Sequence, residues 1–321
     1  MRILFITANR LGDAVLSTGL LDWLVRTHPT AQFTVVCGPV AADLFRALPR
    51  LERLIVMRKR KWNGHWLGLW RECVGTRWDL VVDLRNSIVS RLLRAASRAY
   101  RPPHNTGQHK VRDNAAALRL DPPPSPCLWL DDAARDAAAA LLQGSGPILA
   151  LGPSANWPCK QWPVENFTAL AQRLTAPDGP LPNARILVVA APHERAQIAS
   201  LLAALPAAQV IDGIGQDLLT VAACLRQASL FVGNDSGLMH IAAAVGTRVL
   251  GLFGPGYEQI YGPWGPNTAF IRTPESAKEL LARLPHPSAH APNLMQSLSV
   301  ERVHQAAQAL IENHDLISHT P

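Results

Sequence analysis

The sequence lacks the patterns that mark several large classes of protein. No apolar run in its 321 residues approaches the roughly 20 needed for a membrane-spanning helix. Its five cysteines are odd in number and widely spaced, and no pair has the spacing of a zinc or redox motif. There is no Asp-x-Asp, no His-Glu-x-x-His and no Walker A pattern. The sequence therefore predicts a protein of the reducing cytoplasm with no dedicated metal site.

The N-terminus and the charge balance narrow the prediction further. MRILFITANRLGD lacks the long apolar block and the small-residue cleavage site of a secretory signal, so we interpret it as a first buried strand. The formal net charge of +7 and the pI near 9.5 indicate an anionic partner. Because zinc-finger spacing and RNA-recognition signatures are absent, we expect no nucleic acid. An acidic glycolipid and an anionic membrane face both suit this charge.

Short apolar strands alternate with helical patterns along nearly the whole chain, which predicts parallel βαβ units. After the first strand, Ile3–Thr7, the periodicity predicts a helix from Asp13 to Thr27. Further strands are predicted at Phe33–Cys37, Leu54–Met57, Leu80–Leu84, Ile148–Leu151, Ile186–Ala190, Val210–Ile211, Leu230–Val232 and Val249–Phe253.

Two segments interrupt this alternation, the proline-rich residues 121–126 and the Gly- and Pro-containing residues 144–147, and both types of residue break helices and strands. The sequence therefore predicts two doubly wound α/β domains, 1–145 and 146–321, with a closing helix at about 300–313. In such folds a ligand binds at the carboxyl ends of the strands, here in a cleft between the two domains.

The segment Leu230–Pro255, LFVGNDSGLMHIAAAVGTRVLGLFGP, is the most informative in the chain. It predicts a strand, a polar turn, a helix that Ser236 caps, a stop at Gly246 and a second strand. A strand that leads into a Gly-containing turn and a helix N-terminus leaves backbone N–H groups and a positive dipole end for an anion, most often a phosphate. A capped helix without a ligand is the alternative.

Three more loops follow predicted strands. Gly12 and Asp13 come after the first strand, where Asp13 suits either a helix cap or a general base. Lys160, in GPSANWPCKQWP, suits either a charge that stabilises a leaving phosphate or a solvated surface cation. Glu194, in APHE, suits either a ribose ligand or an ordinary helix start.

A basic stretch, Arg58-Lys59-Arg60-Lys61, precedes tryptophans at 62, 66 and 70. On one helix these tryptophans would share a face. Such a face suits an acidic headgroup or a membrane interface, and it equally suits a helix that packs its tryptophans on the core.

Taken together, these motifs resemble the lipopolysaccharide heptosyltransferases, the inverting glycosyltransferases that use ADP-heptose. The resemblance extends over nearly the whole chain. It is borne by NRLGD at 9–13, DLR at 83–85, GPSANWPCKQWP at 152–163, APHE at 191–194, GNDSGLMHIAAA at 233–244 and LFGP at 252–255.

The resemblance implies a GT-B fold, in which two Rossmann-like domains face each other across a cleft. It implies that the acceptor binds the N-terminal half and an ADP-sugar the C-terminal half, without metal or other cofactor. It implies Asp13 as the base that deprotonates the acceptor and Lys160 as the cation at the donor phosphate. It further implies donor contacts at Ser154, Asn156, Glu194, Asp235, Ser236, Gly237 and His240, and acceptor contacts at Gly12, Arg58, Arg60 and Lys61.

One loop departs from the family pattern. After FGP many members continue with Thr or Ser, Asp or Asn, and Pro, whereas this chain continues with Gly256-Tyr257-Glu258-Gln259. The donor sugar and the transfer step therefore stay open. A nucleotide-sugar epimerase of the same fold and a non-catalytic nucleotide- or glycan-binding protein are the alternative functions, and transient contact of the enzyme with the cytoplasmic face of the inner membrane is a further expectation.

Overall fold

The computed structural model describes residues 1–59, 61–102, 107–284 and 292–312, which divide into two compact units, Met1–Asp131 and Asp132–Pro321. Five parallel strands form the sheet of the first unit, in the order β3-β2-β1-β4-β5. The central strand is completely buried from Ile3 to Ile6, because helices cover both faces of a parallel sheet. The strands are β1 (Arg2–Ile6), β2 (Gln32–Cys37), β3 (Leu51–Val56), β4 (Trp78–Asp83) and β5 (Ala95–Tyr100).

The α-helices of the first unit are short. They are α1 (Leu11–Val15), α2 (Thr18–Thr27), α3 (Gly64–Cys73), α4 (Ile88–Leu92) and α5 (Lys110–Ala115). The single helix predicted from Asp13 to Thr27 is therefore two helices. At the break, the hydroxyl of Ser17 donates to the carbonyl oxygen of Ala14 at 2.7 Å, and that of Thr18 donates to Val15 at 2.7 Å. Such local bonds compete with the helical ladder.

The second unit has a six-stranded parallel sheet in the order β11-β10-β9-β6-β7-β8. Counted from its own first strand, this is the order of the first unit with one strand added, and it is the order of the doubly wound nucleotide-binding folds. The strands are β6 (Ile148–Gly152), β7 (Arg185–Val188), β8 (Val210–Asp212), β9 (Leu230–Asn234), β10 (Val249–Phe253) and β11 (Thr268–Arg272).

The described part of the second unit has eight α-helices. Gly246, with φ +86°, follows the α10 helix, as the sequence predicts. The last helix begins at Val300 as predicted, and Asn313 lies outside the described residues. The helices are α6 (Asp132–Leu141), α7 (Val164–Thr175), α8 (Ala199–Ala204), α9 (Leu218–Arg226), α10 (Gly237–Ala244), α11 (Glu258–Tyr261), α12 (Ala277–Ala282) and α13 (Val300–Glu312).

The division between the units falls earlier than the predicted boundary near residue 145. The sequence places the boundary at the Gly-rich breaker 144–147, but helix α6 precedes this breaker and packs against α9. The predicted domains 1–145 and 146–321 therefore assign α6 to the other unit. No helix in the described ranges has the length and apolarity to cross a bilayer.

Two strands have no counterpart in the sequence prediction, β5 and β11, and both lie at an edge of their sheet. An edge strand is covered by a neighbour on one side only, so its composition is less apolar than that of a central strand. In β5 the residues Ala96, Ser97 and Arg98 are exposed. The pattern AASRAY therefore gives no apolar run from which a strand could be predicted.

Candidate functional site

Within the second unit, the two loops that the sequence singles out follow neighbouring strands. Strand β6 pairs with β9 in parallel, with Gly152 opposite Gly233. The loop 153–163 and the turn Asp235–Ser236 therefore leave the same edge of the sheet, which is the ligand-binding edge of doubly wound folds.

Asn234 joins these two loops. Its Oδ1 accepts a hydrogen bond from the backbone N–H of Trp162 at 3.0 Å, and its Nδ2 donates to the carbonyl oxygen of Pro153 at 2.8 Å. The side chain is completely buried. The motif GNDSG gives no sign of this role, because the two partners of Asn234 lie far away along the chain.

Lys160 is paired with Asp235. Its Nζ donates to Oδ2 of Asp235 at 2.5 Å, and the two side chains are 24% and 9% exposed. Nζ also lies 5.6 Å from the centre of the Trp157 ring. Lys160 is therefore held at the start of α10 by an ion pair. It is not the solvated surface cation of the alternative prediction.

The start of α10 differs in one respect from the prediction. Ser236 occupies the N-cap position, but its side chain makes no capping hydrogen bond. Its Oγ is buried and has no hydrogen-bond partner among the described residues. Ser236 therefore takes the N-cap position that the sequence predicts, with an extended backbone (φ −146°, ψ 171°), but its hydroxyl accepts no bond from the N–H groups of the first turn. Gly237 is the first helical residue, and His240 is buried in the next turn.

Glu194 is buried at the carboxyl side of β7 and bonded locally. Its Oε2 accepts hydrogen bonds from the hydroxyl of Ser154 and from the backbone N–H of Ala191, both at 2.8 Å. The bond from Ala191 is that of an ordinary helix start, which was one of the two sequence-based alternatives. The bond from Ser154 brings together two of the predicted donor contacts. Asn156, a third, is exposed.

Arg272 holds the loop after β10. Its guanidinium donates to Oε2 of Glu258 at 2.5 Å and to the carbonyl oxygen of Gly254 at 2.9 Å. Further bonds at 3.0 and 3.3 Å join it to the carbonyl oxygen of Glu275. This Arg272 clamp fixes the loop in which the chain departs from the family pattern. The sequence gives no signal for it, since Arg272 belongs to the unpredicted strand β11.

Gly256, in the same loop, approaches the ion pair closely. A Cβ atom at this position would lie 2.5 Å from Oδ2 of Asp235, the oxygen that Lys160 contacts. The absence of a side chain at Gly256 therefore leaves space for the carboxylate that holds Lys160.

In the first unit, Asp13 lies half-buried in α1, after β1. The cap position of this helix belongs to Arg10, so Asp13 is not its N-cap. Gly12 is the preceding residue of the same helix. The neighbouring strand β4 ends at Asp83, whose buried carboxylate accepts bonds from Arg85 N–H and from the N–H and hydroxyl of Ser87 at 2.6–2.8 Å. This turn directs Arg85 towards Asn9, whose Oδ1 it contacts at 3.1 Å.

Lys110, at the start of α5, provides a cation near Asp13. Burial and the neighbouring Arg101 lower the pKa of Lys110, whereas the carboxylates of Asp13 and Asp113 raise it; the net shift is downward. The sequence prediction missed Lys110, because nothing in the local pattern HKVRD distinguishes it from a surface lysine. Lys110 therefore increases the positive potential around Asp13.

The basic stretch is exposed at Arg58, Lys59 and Lys61, while Arg60 lies outside the described residues. The tryptophan stripe divides. Trp66 and Trp70 pack against the core of the first unit, but Trp62 is 98% exposed. Trp62 has φ 57° and precedes α3, so the prediction that the three share one helical face is wrong for Trp62.

Within the described ranges, no group of three or more His, Cys, Asp or Glu side chains is placed to hold a metal ion. All five cysteines are free thiols. The site residues of the second unit are thus a cation, a helix N-terminus and an unbonded hydroxyl, and this set can bind an anionic group.

Two doubly wound parallel sheets, one with a lysine and a helix N-terminus at its carboxyl edge, have the architecture of the Rossmann-like class. The model of glycosyltransferase family 9 (heptosyltransferase) matches residues 89–284. The chain therefore belongs to glycosyltransferase family 9, and it is a glycosyltransferase.

Individual relatives agree with this family. Lipopolysaccharide heptosyltransferase 1 of Pseudomonas aeruginosa is 27% identical over 297 residues, which cover 83% of this chain and 82% of that protein. The structure of E. coli ADP-heptose lps heptosyltransferase II superimposes with a TM-score of 0.76 at 21% identity, covering 97% of this chain and 99% of that one. E. coli heptosyltransferase WaaC with ADP-2-deoxy-2-fluoro heptose gives 0.70 at 20% identity, covering 95% and 98%. The GT-B fold that the resemblance implies is confirmed.

Proposed function

We propose that this protein transfers a heptose from ADP-heptose to an acidic acceptor of the lipopolysaccharide core, with inversion and without a metal ion. The observation that supports a donor site most directly is the buried, unbonded hydroxyl of Ser236 at the first turn of α10, next to Asp235 and its partner Lys160. A buried hydroxyl without a partner costs free energy that a bound phosphate oxygen would recover. Two similar structures, named for ADP-heptose and for an ADP-heptose analogue, support this choice of sugar nucleotide.

The negatively charged diphosphate of the donor would bind at this helix N-terminus. As the bond between the anomeric carbon and the phosphate oxygen breaks, ADP leaves with that charge. The dipole of α10, the N–H of Gly237 and the ammonium of Lys160 would stabilise it. Ser154 and Glu194 would contact the ribose, His240 and Asp235 the sugar and diphosphate region, and Asn156 the rim of the donor site.

Asp13 would act as the general base. Its carboxylate would take the proton of the acceptor hydroxyl, and the oxygen would form the new bond at the anomeric carbon opposite to the leaving ADP, which inverts the configuration. Gly12 lies next to this base. Arg58, Arg60 and Lys61 would contact acidic groups of the acceptor, and Lys110 would add positive potential close to Asp13.

The cellular setting belongs to the same proposal. Free cysteines suit a reducing cytoplasm, and the basic charge suits an acidic glycolipid on the anionic inner surface of the membrane rather than nucleic acid.

Thermal unfolding in the presence of ADP, UDP, GDP, NAD and ADP-heptose, each with and without EDTA, tests the donor assignment. A ligand at about 100 times its Kd adds about 2.7 kcal/mol to the free energy of unfolding. We expect stabilisation by ADP and ADP-heptose only, unchanged by EDTA. Selective stabilisation by UDP or GDP would contradict the assignment of an ADP-sugar as donor. Loss of the stabilisation in EDTA would contradict metal independence.

The Asp13→Asn substitution tests the base. An amide cannot accept the proton, so we expect transfer to fall by about 10²–10⁴-fold. ADP should still raise the unfolding temperature as in the parent protein, because the donor site belongs to the other unit. Near-normal turnover of Asp13→Asn, measured as ADP released per acceptor, would exclude Asp13 as the base. Release of sugar or an isomerised donor in the absence of acceptor would instead indicate a hydrolase or an epimerase.

A further inference from the structure

The positive charge of the chain is concentrated in one segment of the first unit. Residues 58–98 contain ten Lys and Arg against three Asp and Glu, a balance of +7, which equals the net charge of all 321 residues. The remainder of the chain is therefore neutral in sum. Of the three acidic residues, Asp83 is buried and Glu72 pairs with Arg53 at 3.4 Å. Neither carboxylate therefore neutralises the charge of the exposed lysines and arginines on this segment.

The same segment exposes large apolar side chains. Trp62 is 98% exposed, Leu67 51%, Ile88 69% and Leu92 63%. We call these four residues the α3–α4 surface. Ile88 and Leu92 are one turn apart on α4, on the side opposite to Val89 and Leu93, which pack on the core. A single exposed apolar side chain is ordinary, but several large ones on two neighbouring helices indicate a surface that contacts a protein or a membrane.

Helices α3 and α4 form one layer. Both pack against the same core cluster of the first sheet, and they contact each other. Their starts lie together, because the guanidinium of Arg85, which precedes α4, stacks at 4.7 Å on the ring of Trp66 in α3. The outer side of this layer therefore presents Trp62 and Ile88 near the carboxyl edge of the sheet. The loop with Asp13 leaves the same edge from β1.

We propose that the α3–α4 surface docks the enzyme on an anionic lipid bilayer, with the four apolar side chains entering the headgroup region. This inference rests on the proposed function, since it specifies how the enzyme meets a lipid-linked acceptor. Lys59, Lys61, Arg91 and Arg94 are exposed around the apolar side chains and would contact lipid phosphates. A tryptophan ring is suited to the boundary between headgroups and acyl chains. The orientation would bring a membrane-bound acceptor to the edge of the sheet where Asp13 lies.

A bilayer suits this surface better than a folded protein partner does. Its apolar residues are separated on two helices and interleaved with long basic side chains, which suits a fluid layer of anionic headgroups. The aliphatic stems of these lysines and arginines can lie along the apolar layer while their charges reach the phosphates.

Flotation of the full chain with vesicles tests the proposal. One set of vesicles contains phosphatidylcholine alone, and the other contains about 30 mol% phosphatidylglycerol. We expect binding to the anionic set, weakened by salt. The double variant Ile88→Ser/Leu92→Ser should bind the anionic vesicles about tenfold less, and Trp62→Ser should also bind less.

The matched control is Val40→Ser/Phe270→Ser, which removes two exposed apolar side chains outside this surface. It should bind vesicles like the parent protein. Transfer to a short water-soluble acceptor should be unchanged in Ile88→Ser/Leu92→Ser, which separates this proposal from the proposed function and shows that the variant folds. Absence of binding by the parent protein, or equal binding by the surface variant and the control, would overturn the docking site. A dimer of the parent protein that Ile88→Ser/Leu92→Ser dissociates would assign the surface to a second copy of the chain instead.

Discussion

At the scale of single residues, the ion pair of Lys160 and Asp235 places a carboxylate beside the start of α10, where an anion is expected to bind. The carboxylate holds the ammonium in position before any ligand arrives, because the side chain of Asp235 is only 9% exposed and the pair is partly shielded from water. A donor phosphate would then meet a cation that is already oriented, which reduces the reorganisation needed in the transition state.

Lys160→Met keeps the length and the apolar stem of the side chain but removes its charge. We expect transfer to fall by about 10²–10³-fold, the usual effect of losing one such electrostatic donor. Single-turnover rates at saturating donor measure the loss in the chemical step. The exposed Lys278→Met is the matched control and should behave like the parent protein. Equal activity of the two variants would show that Lys160 does not stabilise the leaving group.

Gly256→Ala should act on the same pair without touching its charges. The new Cβ would lie 2.5 Å from Oδ2 of Asp235, so the carboxylate must rotate away from Lys160. We expect the affinity for ADP, measured by calorimetry, to fall by about tenfold, since one oriented charge contact is worth about 1–2 kcal/mol. The unfolding temperature without ligand should fall only slightly.

Gly75→Ala is the control for Gly256→Ala, because no atom lies within 4 Å of the Cβ position there. If both variants bind ADP like the parent protein, the close approach of Gly256 has no role in the donor site.

At the scale of secondary structure, three helix starts in the second unit can be compared. In α9 the carboxylate of Asp217 accepts from the N–H groups of Leu219 and Thr220, and in α12 the hydroxyl of Ser276 accepts from Glu279 N–H. In α10 the hydroxyl of Ser236 makes no such bond. The first two side chains stabilise their helices, whereas Ser236 is available to a ligand.

The contrast between Asp217 and Ser236 predicts that their substitution affects stability and ADP binding in opposite ways. Asp217→Ala should lower the free energy of unfolding by about 1 kcal/mol, the usual cost of losing an N-cap, and leave ADP binding unchanged. Ser236→Ala should leave the free energy of unfolding nearly unchanged and weaken ADP binding, because its hydroxyl has no bond to lose in the free protein. Urea titrations and calorimetry on the two variants check both parts. A loss of stability in Ser236→Ala with normal ADP binding would show that its hydroxyl caps the helix in solution.

The sequence predicts most strands but not their full set, and the reason is burial. Central strands such as β1 and β9 are covered on both faces, so they can be recognised in the sequence as continuous apolar runs. The edge strands β5 and β11 are not. In the same way the loops with Asp13, Lys160 and Glu194 can be predicted as functional from their places after strands. The contacts of Lys160 with Asp235 and of Arg272 with Glu258 cannot, because they join residues distant in the chain.

At the scale of the whole molecule, buried thiols link stability to pH. Burial is the largest cause that raises the pKa of Cys37 from 9.0 to about 12 and the pKa values of Cys73 and Cys224 to about 11. The unfolded chain ionises these thiols near their ordinary pKa, while the folded protein keeps them protonated. Their contribution to the free energy of unfolding is therefore complete below about pH 9 and is lost as the pH rises towards 12.

Cys37→Ala tests this linkage. The variant should be less stable at neutral pH because it loses packing, but its urea midpoint should fall less steeply than that of the parent protein between about pH 8 and about pH 11. The readout is the difference between the two slopes, since every other titrating group is shared. Parallel slopes would mean that the thiol of Cys37 ionises equally in the folded and unfolded states.

The Arg272 clamp has a consequence for motion. The guanidinium that fixes Gly254 and Glu258 belongs to the last residue of β11, which is an edge strand paired on one side only. Edge strands open locally more readily than central ones. When the end of β11 separates from β10, the loop from Gly254 to Glu258 loses its anchor in the same event. Amide hydrogens of this loop and of β11 should therefore exchange with solvent together, and the rate at which the sheet edge frays sets an upper limit on how long that loop keeps its shape.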